Sequence, residues 1–281
     1  MSYKENIQKY LIKNQTLKTS RIKNIDSVFL INLDQRPEKL ERVLGQLEPF
    51  NIDPNRLPAI YGWTLLNAVY EDVGFKLQPG MEWKGSIFLR QSGSMRVNQA
   101  CYGSAIYYPR MSHGAVGTYI SQLSVLQNAY DAHFQTVWVL EDDVTVQTDP
   151  HQLSKYIEKL DQLVGPDGWD ILYTDDGTHF EPFTPGTVWR PDMPDINFDP
   201  FYEYSPAGAD FYRIGGRCQA HSFIIRRSGI EKILNFAFQH GIYLPYDVEI
   251  AFVPGLRFFN LKANVVSGGT LSNSDTIRRY F

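Results

Sequence analysis

The sequence predicts an α/β fold built on a mostly parallel central sheet flanked by helices. Three segments, SVFLIN at 27–32, VWVL at 137–140 and WDILY at 169–173, are short and apolar on both faces, which is typical of buried parallel strands. The first two are followed by stretches in which apolar residues recur every three or four positions, as in an amphipathic helix. Strands that alternate with helices favour a parallel sheet.

The first unit is a strand, a turn and a helix. After the strand at 27–32, Pro37 suits the first turn of a helix whose apolar stripe runs from Leu40 to Leu47. A second strand is predicted at 56–60. The periodicity is then lost from 62 to 113, where many glycines and aromatic residues predict an irregular insertion.

The second half of the chain continues the alternation of helices and strands. Helices are predicted at 117–130 and 150–163, on either side of the strand at 137–140. Segment 175–217 is rich in prolines and aromatic residues without a period, which predicts a second insertion that serves as a lid or a binding wall. A strand at 219–226 and a helix with a Ser-x-x-Glu capping box at 228–238 follow.

The 281 residues are interpreted as a single domain at 25–281, with the two insertions, preceded by a basic leader helix at 1–24. The net charge of −4 argues against a nucleic-acid partner. The leader is either a solvated helix or a peripheral contact with the inner membrane surface, helped by Ile7, Leu11 and Ile12. Without a signal-like or membrane-spanning stretch, and with two distant cysteines, the sequence predicts a cytoplasmic location.

Three consecutive carboxylates, Glu141, Asp142 and Asp143, follow the apolar strand at 137–140. Ligands of α/β sheets bind at the carboxyl ends of strands, and charges buried there need a counter-charge. Residues two apart on an extended chain point the same way, so Glu141 and Asp143 can share one cation while Asp142 faces elsewhere. Two oxygen ligands suit Mg²⁺ or Mn²⁺ held jointly with a diphosphate, and the alternative is a solvated acidic turn.

Five blocks of sequence carry a family resemblance. SVFLINLDQRPEK, GAVGTYISQ with VWVLEDDV, WDILY, HSFIIRRSGIEKIL and LPYDV occur in this order over most of residues 27–250. Together they resemble glycosyltransferase family 25. The resemblance implies a GT-A-type fold, a UDP-sugar donor, often UDP-galactose, manganese or magnesium at the E-D-D triplet, and inversion at the anomeric carbon. It also implies a glycan or lipid-linked acceptor, since bacterial members build lipopolysaccharide and animal members glycosylate collagen hydroxylysine.

The resemblance also implies roles for individual residues. The metal and the diphosphate fall to Glu141 and Asp143, with Asp142 near the ribose or the donor sugar. The residues that would line the nucleotide pocket are Asn32, Leu33 and Arg36. A C-terminal segment would close over the donor, with Arg278 or Arg279 reaching the diphosphate; the segment comprises Ser272, Asn273, Ser274 and Asp275.

An inverting transfer requires a base for the acceptor hydroxyl. Asp247 is the first candidate, because Pro245 would fix the turn that presents it and the family block matches there. Glu249 is the second candidate, and Asp175 with Asp176 the third. The alternative for Asp247 is a helix cap or a salt bridge.

The sequence departs from the usual family pattern at four positions. Gln35 and Lys39 stand where the family commonly has arginine, and Thr118 and Gln122 stand where it usually has cysteine and histidine. The departures at Gln35, Thr118 and Gln122 motivate a second hypothesis, a degenerate relative that binds a nucleotide-sugar or a glycan without turning it over. A third hypothesis, a metal hydrolase, would require histidines clustered around the metal, and the six histidines are scattered.

Overall fold

A computed structural model of the chain describes residues 2–74, 112–177, 203–269 and 275–276. The helices in these ranges are α1 (Lys4–Gln8), α2 (Pro37–Leu47), α3 (Asn67–Asp72), α4 (His113–Asp131), α5 (Gln152–Val164), α6 (Arg227–His240) and α7 (Tyr246–Glu249). The strands are β1 (Ser27–Asn32), β2 (Asn55–Pro58), β3 (Thr136–Glu141), β4 (Val144–Val146), β5 (Ile171–Tyr173), β6 (Tyr204–Ala207), β7 (Phe211–Ile214), β8 (Ser222–Arg226), β9 (Phe258–Leu261) and β10 (Val266–Gly268).

Eight of the strands form one central sheet in the order β2-β1-β3-β8-β5-β9-β7-β6. The pairings of β1 with β2 and β3, and of β5 with β9, are parallel. Six of the eight strands point in one direction, and only β7 and β8 run against them. The remaining strands, β4 and β10, form an antiparallel pair. The predicted α/β fold with a mostly parallel sheet is confirmed.

The sheet is buried between two layers of helices. On one face, Phe29 and Val139 belong to a core that includes the buried side chains of α4 and α6. On the other face, Leu30 and Trp138 belong to a core that includes those of α2 and α5. Side chains alternate along a strand, so consecutive residues of β1 and β3 enter opposite layers. This two-sided burial explains why these strands have no polar face.

The strongly patterned elements match their predictions, and two weaker ones do not. The end of the predicted insertion at 175–217 contains the hairpin of β6 and β7 at the sheet edge, where Pro206 costs no ladder hydrogen bond. The predicted cap of α6 is also wrong, because the helix begins at Arg227 without a side-chain cap. The Ser228 hydroxyl instead donates to the Asp170 carboxylate at 2.7 Å.

The N-terminal segment is not a leader helix over 1–24. Its helix spans only Lys4–Gln8, and the rest of the segment continues along the domain. Ile7 and Leu11, the side chains expected to help a membrane contact, are buried in the core. A core position removes them from any membrane surface. Within the described ranges, no helix is long and apolar enough to cross a bilayer.

Candidate active site

The carboxylate triplet lies where two neighbouring parallel strands end. β1 and β3 pair in register, with Ile31 opposite Glu141, so Asn32 and Glu141 emerge at the same edge of the sheet. Asp142 and Asp143 form the turn into β4. The carboxyl edge of an α/β sheet is where ligands bind, and the structure brings the predicted carboxylates together there.

Main-chain hydrogen bonds fix this turn on both sides. The Glu141 N–H donates to the His221 carbonyl at 2.8 Å, and the Gly269 N–H donates to the Asp143 carbonyl at 2.8 Å. A Cβ atom at Gly269 would lie 2.5 Å from that same carbonyl oxygen, so only glycine allows the close approach. The turn therefore presents its three carboxylates on a rigid frame.

Glu141 is held by protein on most sides and faces the pocket on one. Gln122, fully buried on α4, donates a hydrogen bond of 2.8 Å from Nε2 to Oε1 of Glu141. Burial, together with the charge of Asp143, raises the pKa of Glu141 to about 8, and the charges of Asp142 and Asp247 act in the same direction. A carboxylate in this position is stabilised by a proton or by a bound cation.

Asp143 supplies a second sign that a cation fits here. Its Oδ1 atom is buried and has no hydrogen-bond partner among the described residues. A buried carboxylate oxygen without a partner is costly, and a metal ion would satisfy it. In the same ranges, no group of three or more His, Cys, Asp or Glu side chains could hold a metal. A metal on Glu141 and Asp143 would therefore take its other ligands from water and substrate.

Asp142 points away from its two neighbours. Its Oδ2 accepts a 2.8 Å hydrogen bond from Nδ2 of Asn32, and its Oδ1 lies 3.6 Å from Nζ of Lys39. Oδ1 of Asn32 also accepts a 3.0 Å hydrogen bond from Nε of Arg56, so the Asn32 side chain links Arg56 to Asp142. Burial raises the pKa of Asp142, and the hydrogen bond from Asn32 offsets only part of that rise.

The first turn of α2 contributes two cations. Arg36, the N-cap residue of α2, pairs with Asp275 and with Glu38. Lys39 lies one turn further and places its Nζ 2.6 Å from Oδ2 of Asp275. Asp275 is thus brought to the site, whereas Ser274, and also Ser272, Asn273, Arg278 and Arg279, lie outside the described residues.

A pocket opens in front of the triplet. Its lining includes predicted site residues, namely Asn32, Leu33, Glu141, Asp142, Asp143 and Asp275. It also includes residues that sequence reasoning missed, namely Lys39, Ala59, Ile60, Tyr61, Gly62, Trp63, Gly114 and Thr276. One signal was available: the Tyr-Gly-Trp run follows β2, whose carboxyl end lies at the same sheet edge as that of β1. Trp63 stacks on His113 with ring centroids 5.6 Å apart, which fixes this wall.

The two candidates for the base occupy different environments. Asp247 is half-buried, and its charge helps to raise the pKa of Glu141. Its carboxylate oxygens accept hydrogen bonds from the main-chain N–H groups of Gln219 at 2.5 Å and Val248 at 3.0 Å. Glu249 has no exposed surface, and its Oε1 accepts from the main-chain N–H groups of residues 243 and 244. Full burial leaves no access for an acceptor at Glu249 and argues for a structural role. The role of Asp247 stays a prediction.

Asp175, in the third pair of candidates, is enclosed in an ion cluster behind the site. Its carboxylate lies 2.5 Å from Nη1 of Arg217 and 2.7 Å from Nε2 of His221. Burial alone would raise its pKa, but the hydrogen bonds from His221 and Arg217 hold it well below the usual range. An enclosed, strongly paired carboxylate is a poor base. The cluster instead supports His221, whose carbonyl holds Glu141.

Comparisons with known proteins identify the family of the chain. A family model described as "Glycosyltransferase family 25 (LPS biosynthesis protein)" matches residues 25–249, which include the triplet and both base candidates. Among solved structures, a mannose-1-phosphate geranyltransferase from Thermus thermophilus aligns with a TM-score of 0.36 at 12% identity, covering 86% of this chain and 75% of that one. A similarity this low supports no conclusion.

Two of three curated relatives carry the same family label in their names, and the third is named a galactosyltransferase. "Glycosyltransferase 25 family member" of Aedes aegypti is 23% identical over 149 residues, covering 53% of this chain and 21% of the relative. "Procollagen galactosyltransferase 1-B" of Xenopus laevis is 26% identical over 158 residues, with coverages of 53% and 21%. "Inactive glycosyltransferase 25 family member 3" of Homo sapiens is 25% identical over 150 residues, again with 53% and 21%. The match thus covers about a fifth of each relative.

Proposed function

Because the chain belongs to glycosyltransferase family 25, we propose that it moves a sugar, galactose in the first instance, from a UDP-sugar to a hydroxyl of a glycan acceptor such as lipopolysaccharide. The observation that carries the proposal is the carboxylate pair of Glu141 and Asp143 at the edge of the pocket, with the buried Oδ1 of Asp143 unsatisfied within the described residues. This arrangement suits a divalent cation and a ligand that brings further oxygen atoms.

The residues divide the work of the reaction. Glu141 and Asp143 hold Mn²⁺ or Mg²⁺, and Gln122 orients Glu141. The metal, when bound, would neutralise the charge that develops on the leaving diphosphate. Asn32, Leu33 and the Tyr61–Trp63 wall enclose the nucleotide.

Transfer then requires one exchange of bonds. The acceptor oxygen attacks the anomeric carbon while the bond from that carbon to the diphosphate oxygen breaks, and Asp247 takes the hydroxyl proton. Attack from the face opposite the leaving group inverts the anomeric centre. A reaction of this kind on lipopolysaccharide would place the protein in the cytoplasm, next to the inner membrane.

A second candidate function is binding without turnover. It is favoured by the departures at Gln35, Thr118 and Gln122 and by relatives that are named inactive. The carboxylate triplet argues against it, because all three side chains and their supports are present. Nucleotide release separates the two functions, since a binder would hold a UDP-sugar and release no UDP.

The experiment is a donor screen. Purified protein is mixed with a panel of UDP-, GDP- and CMP-sugars, with Mn²⁺ or with EDTA, and both thermal stability and nucleotide release are followed. We expect stabilisation and slow UDP release with one UDP-sugar, in Mn²⁺ only. Stabilisation without release, also in the presence of candidate acceptors, would support a nucleotide-sugar binder. No response to any donor would overturn the transferase and would favour a binder of glycan alone.

A further inference from the structure

A carboxylate of the protein itself occupies the cationic corner of the pocket. Asp275 meets Arg36 through one oxygen and Lys39 through the other, the latter at 2.6 Å. The main chain around it is tied to the pocket as well. Nε1 of Trp63 donates to the Asp275 carbonyl at 3.1 Å, and the Ser112 hydroxyl donates to the Thr276 carbonyl at 2.5 Å. The contact is therefore a docked segment, with four hydrogen bonds from four different residues.

Among the described residues, the acids around the two cations outnumber them. Lys39, whose side chain is only 7% exposed, lies between Asp142 and Asp275, and Arg36 lies between Glu38 and Asp275. Two positive charges thus face three carboxylates. A diphosphate that joined this corner would add at least two negative charges. A metal on Glu141 and Asp143 would already be matched by those two carboxylates, so the diphosphate would compete with Asp275 for Arg36 and Lys39.

Asp275 is the carboxylate that is free to leave. Asp142 is fixed by its position in the turn and by Asn32. Glu38 is exposed, and the ion pair it makes among the described residues is with Nε of Arg36. Carboxylate and phosphate oxygens are both bound by Arg and Lys through charge-assisted hydrogen bonds, so one can replace the other on the same donors.

We infer that Arg36 and Lys39 form an oxyanion subsite for the donor diphosphate, and that Asp275 fills this subsite in the donor-free protein as an internal competitor. The inference rests on the proposed function. It changes the role expected for Asp275, because a carboxylate on these two cations opposes the donor and does not bind it. Lys39, which replaces the arginine common in relatives of this type, becomes a residue that sets donor affinity.

Competition within one chain has a measurable consequence. The observed affinity for the donor is lowered by the fraction of protein in which Asp275 holds the subsite, and removal of its charge restores the intrinsic affinity. The effect depends on the cations. In a protein without Lys39, Asp275 has less to bind, so removal of its charge should bring a smaller gain.

The test is calorimetric titration of UDP, and separately of inorganic pyrophosphate, into the full chain with Mn²⁺. The variants are Asp275→Asn, Lys39→Met, the double variant and, to preserve the charge, Lys39→Arg. Glu38→Gln is the matched control, because it removes a carboxylate from the same arginine but from outside the pocket. Circular dichroism and thermal unfolding confirm that each variant is folded.

We expect Asp275→Asn to bind UDP about tenfold more tightly and Lys39→Met to bind it about tenfold more weakly. Lys39→Arg keeps the positive charge and should bind UDP more tightly than Lys39→Met does, and Glu38→Gln should stay close to the wild type. The gain from Asp275→Asn should shrink in the Lys39→Met background. Tight UDP binding by the wild type together with unchanged or weaker binding by Asp275→Asn would overturn the inference and leave the proposed function standing.

Failure of the proposed function alone would give a different result. Pyrophosphate binding that tightens in Asp275→Asn, without any response to UDP, would support the oxyanion subsite and contradict the UDP-sugar donor. Absence of binding by either ligand, in the wild type and in Asp275→Asn, would overturn both.

Discussion

The side-chain amide of Gln122 donates a 2.8 Å hydrogen bond to Oε1 of Glu141, from a fully buried position on α4 to the end of β3. Relatives of this type commonly carry histidine where Gln122 stands. An amide carries no charge at any pH, so it orients the carboxylate without competing for a cation. The departure from the family pattern is therefore compatible with a working metal site.

Replacing Gln122 by methionine tests this support. Methionine has a similar volume but no donor, so Glu141 loses the bond that fixes and stabilises its charged form. We expect Mn²⁺ affinity, measured by titration calorimetry, to fall about tenfold, with a loss of about 1 kcal/mol in unfolding free energy. Gln127→Met, on the same helix but bonded to Asp131, is the control and should leave Mn²⁺ affinity unchanged. Equal affinities in the two variants would remove Gln122 from the site.

Substitution of the two base candidates should separate chemistry from stability. Asp247→Asn keeps the size of the side chain and an acceptor for the Gln219 N–H, but it cannot take a proton. We expect transfer to fall at least about a hundredfold while the Kd for the UDP-sugar stays within about twofold. Product formation by mass spectrometry and donor titration measure the two quantities.

Glu249→Gln is the matched comparison for Asp247→Asn. Its carboxylate is fully buried and holds the main chain at residues 243 and 244, so we expect a lower melting temperature and little specific effect on turnover. Full turnover by Asp247→Asn, or abolished turnover in a folded Glu249→Gln protein, would move the base away from Asp247.

Asp170 should contribute to the acid sensitivity of the fold. It is fully buried, and its carboxylate accepts hydrogen bonds from Lys232 at 2.8 Å, Arg257 at 2.9 Å and the Ser228 hydroxyl at 2.7 Å. Burial alone would raise its pKa, but the hydrogen bonds from Arg257 and Lys232 outweigh that effect and lower it. A lowered pKa in the folded state contributes stability that is present above the unfolded pKa of about 3.9 and is lost as the pH falls below it.

Asp170→Asn should therefore cost about 3 kcal/mol at pH 7 and less at about pH 3, where the unfolded chain has begun to take up the proton. Urea denaturation at both pH values gives the two differences. Asp53→Asn breaks the exposed pair with Lys18 and should cost less than about 1 kcal/mol at either pH. The same large loss at pH 3 as at pH 7 would show that ionisation of Asp170 is not the cause.

The core elements could be predicted from local sequence because their apolar patterns follow directly from the faces that they bury. β1 is buried along its whole length and α2 begins at Pro37, as the apolar run and the proline indicated. β6 escaped prediction because it is short, mostly exposed and interrupted by Pro206, so it has no apolar alternation to detect. The N-terminal segment was misjudged because Ile7 and Leu11 look like a small membrane-facing stripe, whereas the core requires them.

Some residues of the candidate site could likewise be predicted from the sequence, and others could not. Glu141, Asp143 and Asn32 were predictable because they end neighbouring strands of one sheet. Lys39 and Trp63 were not assigned to the site, because their place in the pocket depends on how α2 and the chain after β2 pack against that edge. Asp275 was placed there by family resemblance alone, and only the geometry shows which charges it meets.

The most direct measurement of the central claim is titration of UDP into the wild type with Mn²⁺, into the wild type with EDTA, and into Asp143→Ala with Mn²⁺. The substitution removes a buried oxygen that has no partner among the described residues, so the variant should fold with undiminished stability. We predict clear binding only in the first titration. Equal UDP affinity in all three would contradict a metal-dependent donor site at Glu141 and Asp143.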